Sequence, residues 1–210
     1  MNGRIKQCAV GAGLVLVSIV GTATVMSQAD RGMPELTPEE MEGMQRWMEY
    51  MSPGEPHQKL ASSVGEWELE MEWRMSPDAP AQKNRATSRA RMVLGGRFLV
   101  EDVRGTLDMG GAPMPFEGMS ITGFDNGAGE WVSVWIDNMG TGMWIERGKA
   151  RTDGIITTSG ENYCCFDDVM KKTRSHVHMI DQNNRKIEFY AAKPGEELWK
   201  GMEIRYKRVR

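Results

Sequence analysis

The residues best suited to bind or transform a ligand lie in one short stretch of the chain. Strand alternation places Trp131, Trp135 and Asp137 on one face, and Asn138 and Thr141 follow in a turn. A hairpin that carries indoles and a carboxylate on one face can line a cavity. We therefore predict these five residues as a ligand-binding site. The same pattern is also typical of a buried core hairpin with an aspartate at its rim.

Asp137 has two interpretations. A carboxylate beside indoles in a site of low dielectric constant can act as an acid or a base, which would make the protein a hydrolase- or isomerase-type enzyme. Alternatively, Asp137 and Asn138 satisfy backbone N–H groups of the turn that continues to Thr141. We favour the turn interpretation, because it explains these residue types without a ligand. We therefore predict no catalytic residue and a binding protein rather than an enzyme.

Histidines offer a second kind of site. His176 and His178 lie two residues apart and share a strand face, so they could hold a metal ion if His57 or Glu188 joined them. Alternation favours a different arrangement, because the apolar Val177 and its neighbours occupy the inward positions. The histidines are then part of a solvated outer face, and we predict no metal and no cofactor.

Sulfur side chains give two further possibilities. Cys164 and Cys165 are adjacent, and a disulfide between neighbours departs from the geometry that disulfides prefer. The pair could form a vicinal disulfide, remain as free thiols, pair with another molecule or bind a metal through two thiols. The metal site is disfavoured because no further ligand lies at a metal-finger spacing.

The methionines of segment 41–51 could bind copper(I). Methionine at helical spacing is more often a packing residue, and we prefer that interpretation.

Composition narrows the class of protein. With 210 residues, of which 40% are hydrophobic, the chain has room for one ordinary domain with a real core. The net charge is −3, and basic residues cluster only near the C-terminus. Nothing in this balance favours a nucleic-acid partner.

The first 29 residues have the composition of a signal peptide. Arg4 and Lys6 precede an uncharged apolar run over residues 9–20, and small residues occupy positions 27 and 29. We predict cleavage after Ala29, export to the periplasm or medium, and no membrane span in the mature chain. The apolar run is short for a span, which needs ~20 residues. An uncleaved N-terminal anchor is the alternative.

Two helices are predicted before the first strand. Thr37, Pro38 and Glu40 have the residue types of a helix start, so a helix should run from residue 38 to about Met51. Its methionine face should pack on the outside or the open end of a barrel. A second, shorter helix is expected over residues 57–64. We assign residues 30–55 to a lead and amphipathic helix and residues 56–210 to a barrel domain.

Ten strands follow the helices. The first alternates apolar residues with four glutamates over residues 66–75, and Arg85, Arg89 and Arg91 of the next strand should neutralise that charged row. Later strands are expected over residues 98–103, 116–124, 131–137, 141–147, 154–160, 168–180, 186–192 and 199–209. Even spacing without intervening helices predicts an all-β fold, an up-and-down antiparallel barrel of about ten strands. A two-sheet sandwich is the alternative.

Four motifs resemble the bacterial family of uncharacterised proteins DUF1579. They are Met-Val-Leu-Gly-Gly-Arg-Phe-Leu at residues 92–99, Pro-Phe-Glu-Gly-Met at 115–119, Gly-Phe-Asp-Asn at 123–126 and Trp-Ile-Asp-Asn-Met-Gly-Thr-Gly at 135–142. The resemblance covers residues 35–209, except that segment 161–172 departs from the family pattern. The family has no established activity to carry over to this chain.

The first strand also resembles the start of calycin-type barrels, which include lipocalins, fatty-acid-binding proteins and nitrobindin-like proteins. Gly65-Glu66-Trp67 matches their Gly-x-Trp motif. The resemblance implies that a basic residue of the last strand, Arg205 or Arg208, covers Trp67. Nitrobindin-like barrels bind haem through one histidine, so the resemblance also implies a haem alternative for the histidine pair.

Our prediction is an exported barrel that holds a small, largely apolar molecule in its interior, lined by tryptophan and methionine side chains. One alternative is an enzyme that uses Asp137 in the same cavity. Another is a packed barrel whose helix 38–51 binds a partner protein. The sequence leaves the ligand and the oligomeric state open.

Overall fold

The computed structural model describes residues 36–107 and 113–209. The predicted signal peptide and its cleavage site lie outside the described residues. The elements are α1 (Pro38–Met51), α2 (Glu55–Ala61), β1 (Gly65–Trp73), β2 (Gln82–Val93), β3 (Phe98–Leu107), β4 (Met114–Asp125), β5 (Glu130–Asp137), β6 (Trp144–Ala150), β7 (Ile156–Cys164), β8 (Val169–Met179), β9 (Asn184–Ala192) and β10 (Trp199–Arg208). Neither described helix is long and apolar enough to cross a membrane.

The ten strands form one closed antiparallel barrel. Each strand pairs with its neighbours in the sequence, and β1 pairs with β10 to complete the ring. The predicted ten-stranded up-and-down barrel is confirmed, and the sandwich alternative is excluded. Closure pairs every strand on both sides, which removes the free edges of an open sheet.

Several predicted boundaries were wrong. The second helix spans Glu55–Ala61 rather than 57–64, and β3 continues to Leu107 rather than ending at residue 103. The returning strand of the central hairpin begins at Trp144, not at residue 141. Here residues 138–143 form a wider loop, because the ladder between β5 and β6 ends at the pair Trp135 and Trp144.

The two ends of the barrel differ. At one end, α2 packs on β2, β3 and β4, and we call this the capped end. Leu60 of α2 lies in a buried cluster with Ala90, Leu99 and Trp131. At the opposite end, which we call the loop end, the chain connects β1 to β2, β5 to β6, β7 to β8 and β9 to β10.

A second cluster fills the interior beside β1 and β10. Its buried residues are Trp67, Leu69, Met71, Ala86, Val103, Ile204 and Tyr206. They come from the inward positions of adjacent strands, since β1 alternates buried apolar residues with exposed glutamates. This side of the barrel is therefore a packed apolar core.

Trp67 is held at the capped end by two arginines. The guanidinium carbon of Arg208 lies 4.1 Å from the indole centroid, and that of Arg185 lies 4.7 Å from it. Arg208 Nη2 also donates to the carbonyl of Ser62 at 2.7 Å. Of the two residues that the resemblance suggested, Arg208 covers Trp67, whereas Arg205 lies on the outer wall.

Helix α1 begins as predicted. Glu40 N donates to Thr37 Oγ1 at 3.3 Å, and Thr37 N donates to Glu40 Oε2 at 2.8 Å, which forms a capping box. The predicted packing of its methionine face was wrong. Met44 and Trp47 are 43% and 55% exposed, and no residue of the helix is buried.

The end of α1 is held by hydrogen bonds to its carbonyl groups. Asn126 Nδ2 donates to the carbonyls of Tyr50 and Ser52 at 3.0 and 2.8 Å, and Arg97 Nη2 donates to that of Met51 at 2.7 Å. These bonds satisfy acceptors that the last turn of a helix leaves unpaired.

The charged row of β1 forms part of the outer wall, as predicted. Arg85 pairs with Glu70 at 3.3 Å across β1 and β2. Arg91 departs from the prediction, because it forms its ion pair with Asp102 of β3 instead. Such exposed pairs contribute little to stability.

The ladder between β6 and β7 is short. It joins Arg147 and Ser159 at one end and Ala150 and Ile156 at the other. Beyond it, the backbone N–H of Ile145 donates to the side-chain Oδ1 of Asn162 at 3.1 Å, where a strand partner would otherwise lie. One seam of the barrel wall is thus joined partly by a side chain.

Candidate functional site

Strands β4, β5 and β6 bring inward side chains together in three layers. Direct pairing across the strands places Ser120, Trp135 and Trp144 in one row towards the loop end. The next row contains Thr122, Ser133 and Glu146, and the row towards the capped end contains Phe124, Trp131 and Gly148. Because side chains in register share a face, each row forms a strip of the interior wall.

The layer towards the loop end is aromatic. The indole of Trp135 stacks on Phe116 with ring centroids 6.3 Å apart and planes 21° from parallel. Gly118 makes this position possible, because a Cβ there would overlap the six-membered ring of Trp135. Trp144, opposite Trp135, is 42% exposed. Two indoles therefore line the interior where solvent reaches it.

Asp137 and Asn138 serve the local structure. Asp137 Oδ2 accepts from Trp135 Nε1 at 2.7 Å, and its Oδ1 accepts from the backbone of Met139 at 2.9 Å. Asn138 Oδ1 accepts from Glu117 N, and its Nδ2 donates to the carbonyl of Pro115, both at 3.0 Å. Both side chains thereby fix the end of the hairpin, and Asp137 also orients the indole.

Thr141 lies apart from the other predicted site residues. It is exposed in the loop that follows Asn138 and precedes β6. The structure thus brings Trp135, Asp137 and Asn138 together and leaves Thr141 outside the layers.

The middle layer is polar and contains a carboxylate. Ser133 faces Thr122 on one side and Glu146 on the other. Glu146 is only 7% exposed, and its Oε2 accepts from the hydroxyl of Thr158 of β7 at 2.8 Å. Thr122 and Ser133 are half-buried although they point inward near the middle of their strands. Part of each of these two side chains therefore stays accessible.

The layer towards the capped end is a packed aromatic floor. Trp131 is 3% exposed and meets Phe124 edge to face, with centroids 5.2 Å apart. Phe124 in turn contacts His57 of α2 at 6.2 Å between ring centroids. Trp131, predicted to line a cavity, thus belongs to the packed core and closes the layers from below.

A second carboxylate is buried on the other side of the interior, and it is paired with a cation. Glu101 Oε1 accepts from the hydroxyl of Ser88 at 2.5 Å and from the guanidinium of Arg185. That guanidinium also lies 4.0 Å from the ring centroid of Tyr206. Burial raises the pKa of Tyr206, so its hydroxyl stays neutral.

His176 and His178 lie on the outer wall, as the strand alternation predicted. His176 Nδ1 lies 2.9 Å from the hydroxyl of Thr157, and His178 Nε2 lies 2.9 Å from Glu188. Burial, with the charges of nearby arginines, lowers the pKa of His176. His57 is far along the fold in α2, where its Nδ1 accepts from Gly54 N at 3.0 Å. Among residues 36–107 and 113–209, no three His, Cys, Asp or Glu side chains lie close enough to hold a metal ion.

Cys164 and Cys165 are both free thiols at the loop end. Cys164 Sγ lies 3.5 Å from Asp167, which also pairs with Lys171 and Lys193. Hydrogen bonds from these two ammonium groups hold the pKa of Asp167 well below its usual range. The cluster ties the β7–β8 turn to the β9–β10 turn.

Sequence reasoning missed Glu146, Ser133 and Thr122. Short polar residues on a strand carry no distinguishing motif, and Glu146 sits beside Arg147 as an ordinary surface pair would. The predicted hairpin, with strands over 131–137 and 141–147, would have set Glu146 opposite Val132 on the outer face, whereas the observed register sets it opposite Ser133 on the inner face.

The described surface also has hollows outside the barrel interior. Two shallow depressions on the outer wall of β1, β2 and β10 are lined mostly by charged side chains, among them Glu72, Lys83, Arg85, Glu203 and Arg205. Binding pockets for small organic molecules are mostly apolar. The layers inside the barrel are the better candidate site.

Comparisons with known proteins agree with this fold. The structure is similar to that of the S-type phycobiliprotein lyase CPES from Guillardia theta, with a TM-score of 0.51 and 9% identity over 78% of this chain and 97% of that chain. At this identity the likeness shows the barrel fold alone. No protein of curated function matches the sequence. The model of DUF1579, described as a protein of unknown function, matches residues 52–208, so the chain belongs to the DUF1579 family.

Proposed function

We propose that this protein is an exported binding protein that holds a small, largely apolar molecule against the three layers of its barrel interior. The observation that carries the proposal is the uneven filling of the interior. Ser88, Thr158 and Ser175 point inward and are buried, whereas Thr122 and Ser133 point inward and keep accessible surface. A barrel of ten strands is wide enough for one small ligand on its unfilled side.

The composition of the layers supports an aromatic or otherwise flat ligand. Trp135 and Trp144 offer indole surface towards the loop end, and Phe124 with Trp131 forms an apolar floor. Aromatic pairs contribute beyond the area that they bury, and amphipathic indoles are common in binding sites. Serine and threonine hydroxyls between these layers would fix the ligand's orientation.

The enzyme alternative has less support. Both oxygens of Asp137 accept hydrogen bonds, from Trp135 Nε1 and from the backbone of Met139. A carboxylate engaged in this way orients the indole and the turn. We therefore assign Asp137 a positioning role in ligand binding.

A protein-interaction role for α1 is the second candidate function, because one observation favours it. Trp47 and Tyr50 are 55% and 57% exposed, and no residue of α1 is buried. Large aromatic residues at exposed positions are enriched at protein interfaces.

One calorimetric experiment separates these functions. The protein without residues 1–29 is titrated with 2-methylnaphthalene, a neutral aromatic probe, in wild-type, Trp135→Ala and Trp47→Ala forms. We expect wild-type and Trp47→Ala to bind with equal affinity and Trp135→Ala to bind at least about tenfold more weakly. Equal binding by all three forms would place the probe outside the layers, and absence of binding would refute the proposed function.

Export is tested separately. The full chain is expressed in a bacterial host, the cell fractions are separated, and the N-terminus of the extracytoplasmic protein is sequenced. We expect a mature protein that begins at Asp30. A cytoplasmic protein that retains Met1 would contradict export, and a membrane-bound protein that retains the apolar run would support the anchor.

A further inference from the structure

The middle layer contains a buried carboxylate, Glu146, that has no cation beside it among the described residues. Glu146 and Glu101 are the buried carboxylates among the described residues. Glu101 has both a guanidinium and a hydroxyl as partners. Glu146 has the hydroxyl of Thr158 alone, on Oε2. The two carboxylates are buried to a similar degree, but only Glu101 has a compensating cation among the described residues.

The second oxygen of Glu146, Oε1, has no partner among the described residues. No described residue donates a hydrogen bond to Oε1 or forms an ion pair with Glu146. Among the described side chains, Arg185 Nε is the one fully enclosed polar atom without a hydrogen-bond partner. Oε1 of Glu146 also has no partner, so it is not fully enclosed. Oε1 therefore keeps accessible surface, and Ser133 lies opposite Glu146 on the neighbouring strand.

Burying a carboxylate without a partner is costly, whereas pairing it with a cation inside the same site recovers much of that cost. The protein places aromatic faces on both sides of the acceptor, with Trp135 and Trp144 in one layer and Trp131 in the other. Indole faces attract cations as well as apolar groups. A carboxylate between indole layers is thus suited to a protonated nitrogen attached to an apolar body.

We propose that the interior site selects organic cations, with Glu146 Oε1 accepting a hydrogen bond from a protonated amine of the ligand. This inference rests on the proposed function and specifies its ligand class. The apolar part of the ligand lies against Trp135 and Trp144, and the ammonium group reaches the middle layer beside Ser133. Anionic ligands of the same shape are excluded by the charge of Glu146.

Three probes with the same aromatic body test the proposal. They are 2-(aminomethyl)naphthalene, which is cationic at pH 7, neutral 2-methylnaphthalene and anionic 2-naphthoate. We expect the wild-type protein to bind the cation at least about tenfold more tightly than the anion, because the ammonium group donates to the Glu146 carboxylate, whereas the carboxylate of 2-naphthoate has no proton to donate and is repelled by it. Calorimetric titration at fixed ionic strength measures all three affinities.

Glu146→Gln is the informative variant, because it keeps the size of the side chain and removes its charge. We expect this variant to lose the preference for the cation over 2-methylnaphthalene and over the anion. Glu68→Gln is the matched control, since Glu68 is exposed on the outer wall and the same charge is removed there. Thermal unfolding of each variant establishes that it is folded.

The outcomes are distinct. Binding of the neutral probe without a preference for the cation in the wild-type protein would overturn the inference and leave the proposed function standing. A preference that survives Glu146→Gln would also overturn it. Absence of binding by all three probes would refute the proposed function itself. Should Glu146→Gln fail to fold, the wild-type ranking of the three probes alone decides.

Discussion

The two ends of the barrel use tryptophan for opposite purposes. At the capped end, Trp67 and Trp131 are 1% and 3% exposed and are enclosed by arginines, a phenylalanine and helix α2. Towards the loop end, Trp135 and Trp144 face inward but keep accessible surface. The same side chain is thus enclosed at one end and keeps accessible indole surface at the other. The difference lies in what covers the ring.

The largest expected effect on the free energy of unfolding comes from replacing Trp67. Replacing it with alanine removes a buried indole, its hydrogen bond to the Ser63 carbonyl at 2.9 Å and its contacts with two guanidinium groups. We expect a loss of about 3–5 kcal/mol in the free energy of unfolding, measured by urea denaturation. Trp135→Ala should cost only about 1–2 kcal/mol, because the indole is half-buried. Equal losses would remove the distinction between the ends.

The buried ion pair is the next test, because it supports the capped half of the interior. Arg185→Met leaves Glu101 without a cation, and we expect a loss of about 3–5 kcal/mol. Replacing Glu101 with leucine as well should restore much of that loss, since no uncompensated charge is then buried. Urea denaturation of both variants measures the effect. A double variant no more stable than Arg185→Met would contradict the role assigned to the pair.

A smaller effect is expected at Gly118, which makes room for Trp135. In Gly118→Ala the added methyl group overlaps the indole, so the ring must leave Phe116 at a cost of about 1–3 kcal/mol. Gly142→Ala is the control from the same end, because a Cβ there meets no atom within 4 Å. Near-ultraviolet circular dichroism should change for Gly118→Ala and not for Gly142→Ala. An unchanged spectrum in both would show that the indole is already free.

The smallest effect concerns the outer wall and depends on pH. Burial alone would raise the pKa of Glu188, but hydrogen bonds from Lys186, Lys200 and His178 outweigh burial and hold it at about 2. Because the folded-state pKa lies below the ordinary value of 4.5, this carboxylate stabilises the fold above pH 4.5. That contribution is lost as the pH falls from 4.5 towards 2.

Thermal unfolding measured across that pH range checks the prediction. We expect the wild-type protein to lose more stability than Glu188→Gln over the same interval, since the variant has no carboxylate to protonate at this position. The difference should be small beside that of Trp67→Ala. Parallel curves for the two proteins would contradict the assigned pKa.

Sequence periodicity predicted much of the fold. Alternating residues in β1 placed Trp67 inward and the glutamates outward, and the turn residues separated ten strands. Periodicity could not decide whether an inward residue meets a packed core or open space. Trp131 and Trp135 share a face, yet only α2 and the register of distant strands determine that Trp131 is covered.

The polar interior was harder to predict, for a physical reason. Glu101 and Arg185 lie 84 positions apart in the chain and pair only because closure of the barrel brings them together. Glu146 has no oppositely charged partner among the described residues. No paired charge in the sequence therefore indicated that this carboxylate is buried. Inward carboxylates of this kind are recognised from the register of the strands.

The short ladder between β6 and β7 has a consequence for hydrogen exchange. The amide of Ile145 is protected by the side chain of Asn162, and rotation about one or two side-chain bonds releases it. An amide within the β3–β4 ladder exchanges only when backbone pairs separate. We therefore expect the amide proton of Ile145 to be replaced by deuterium long before those of β3, without any opening of the barrel as a whole.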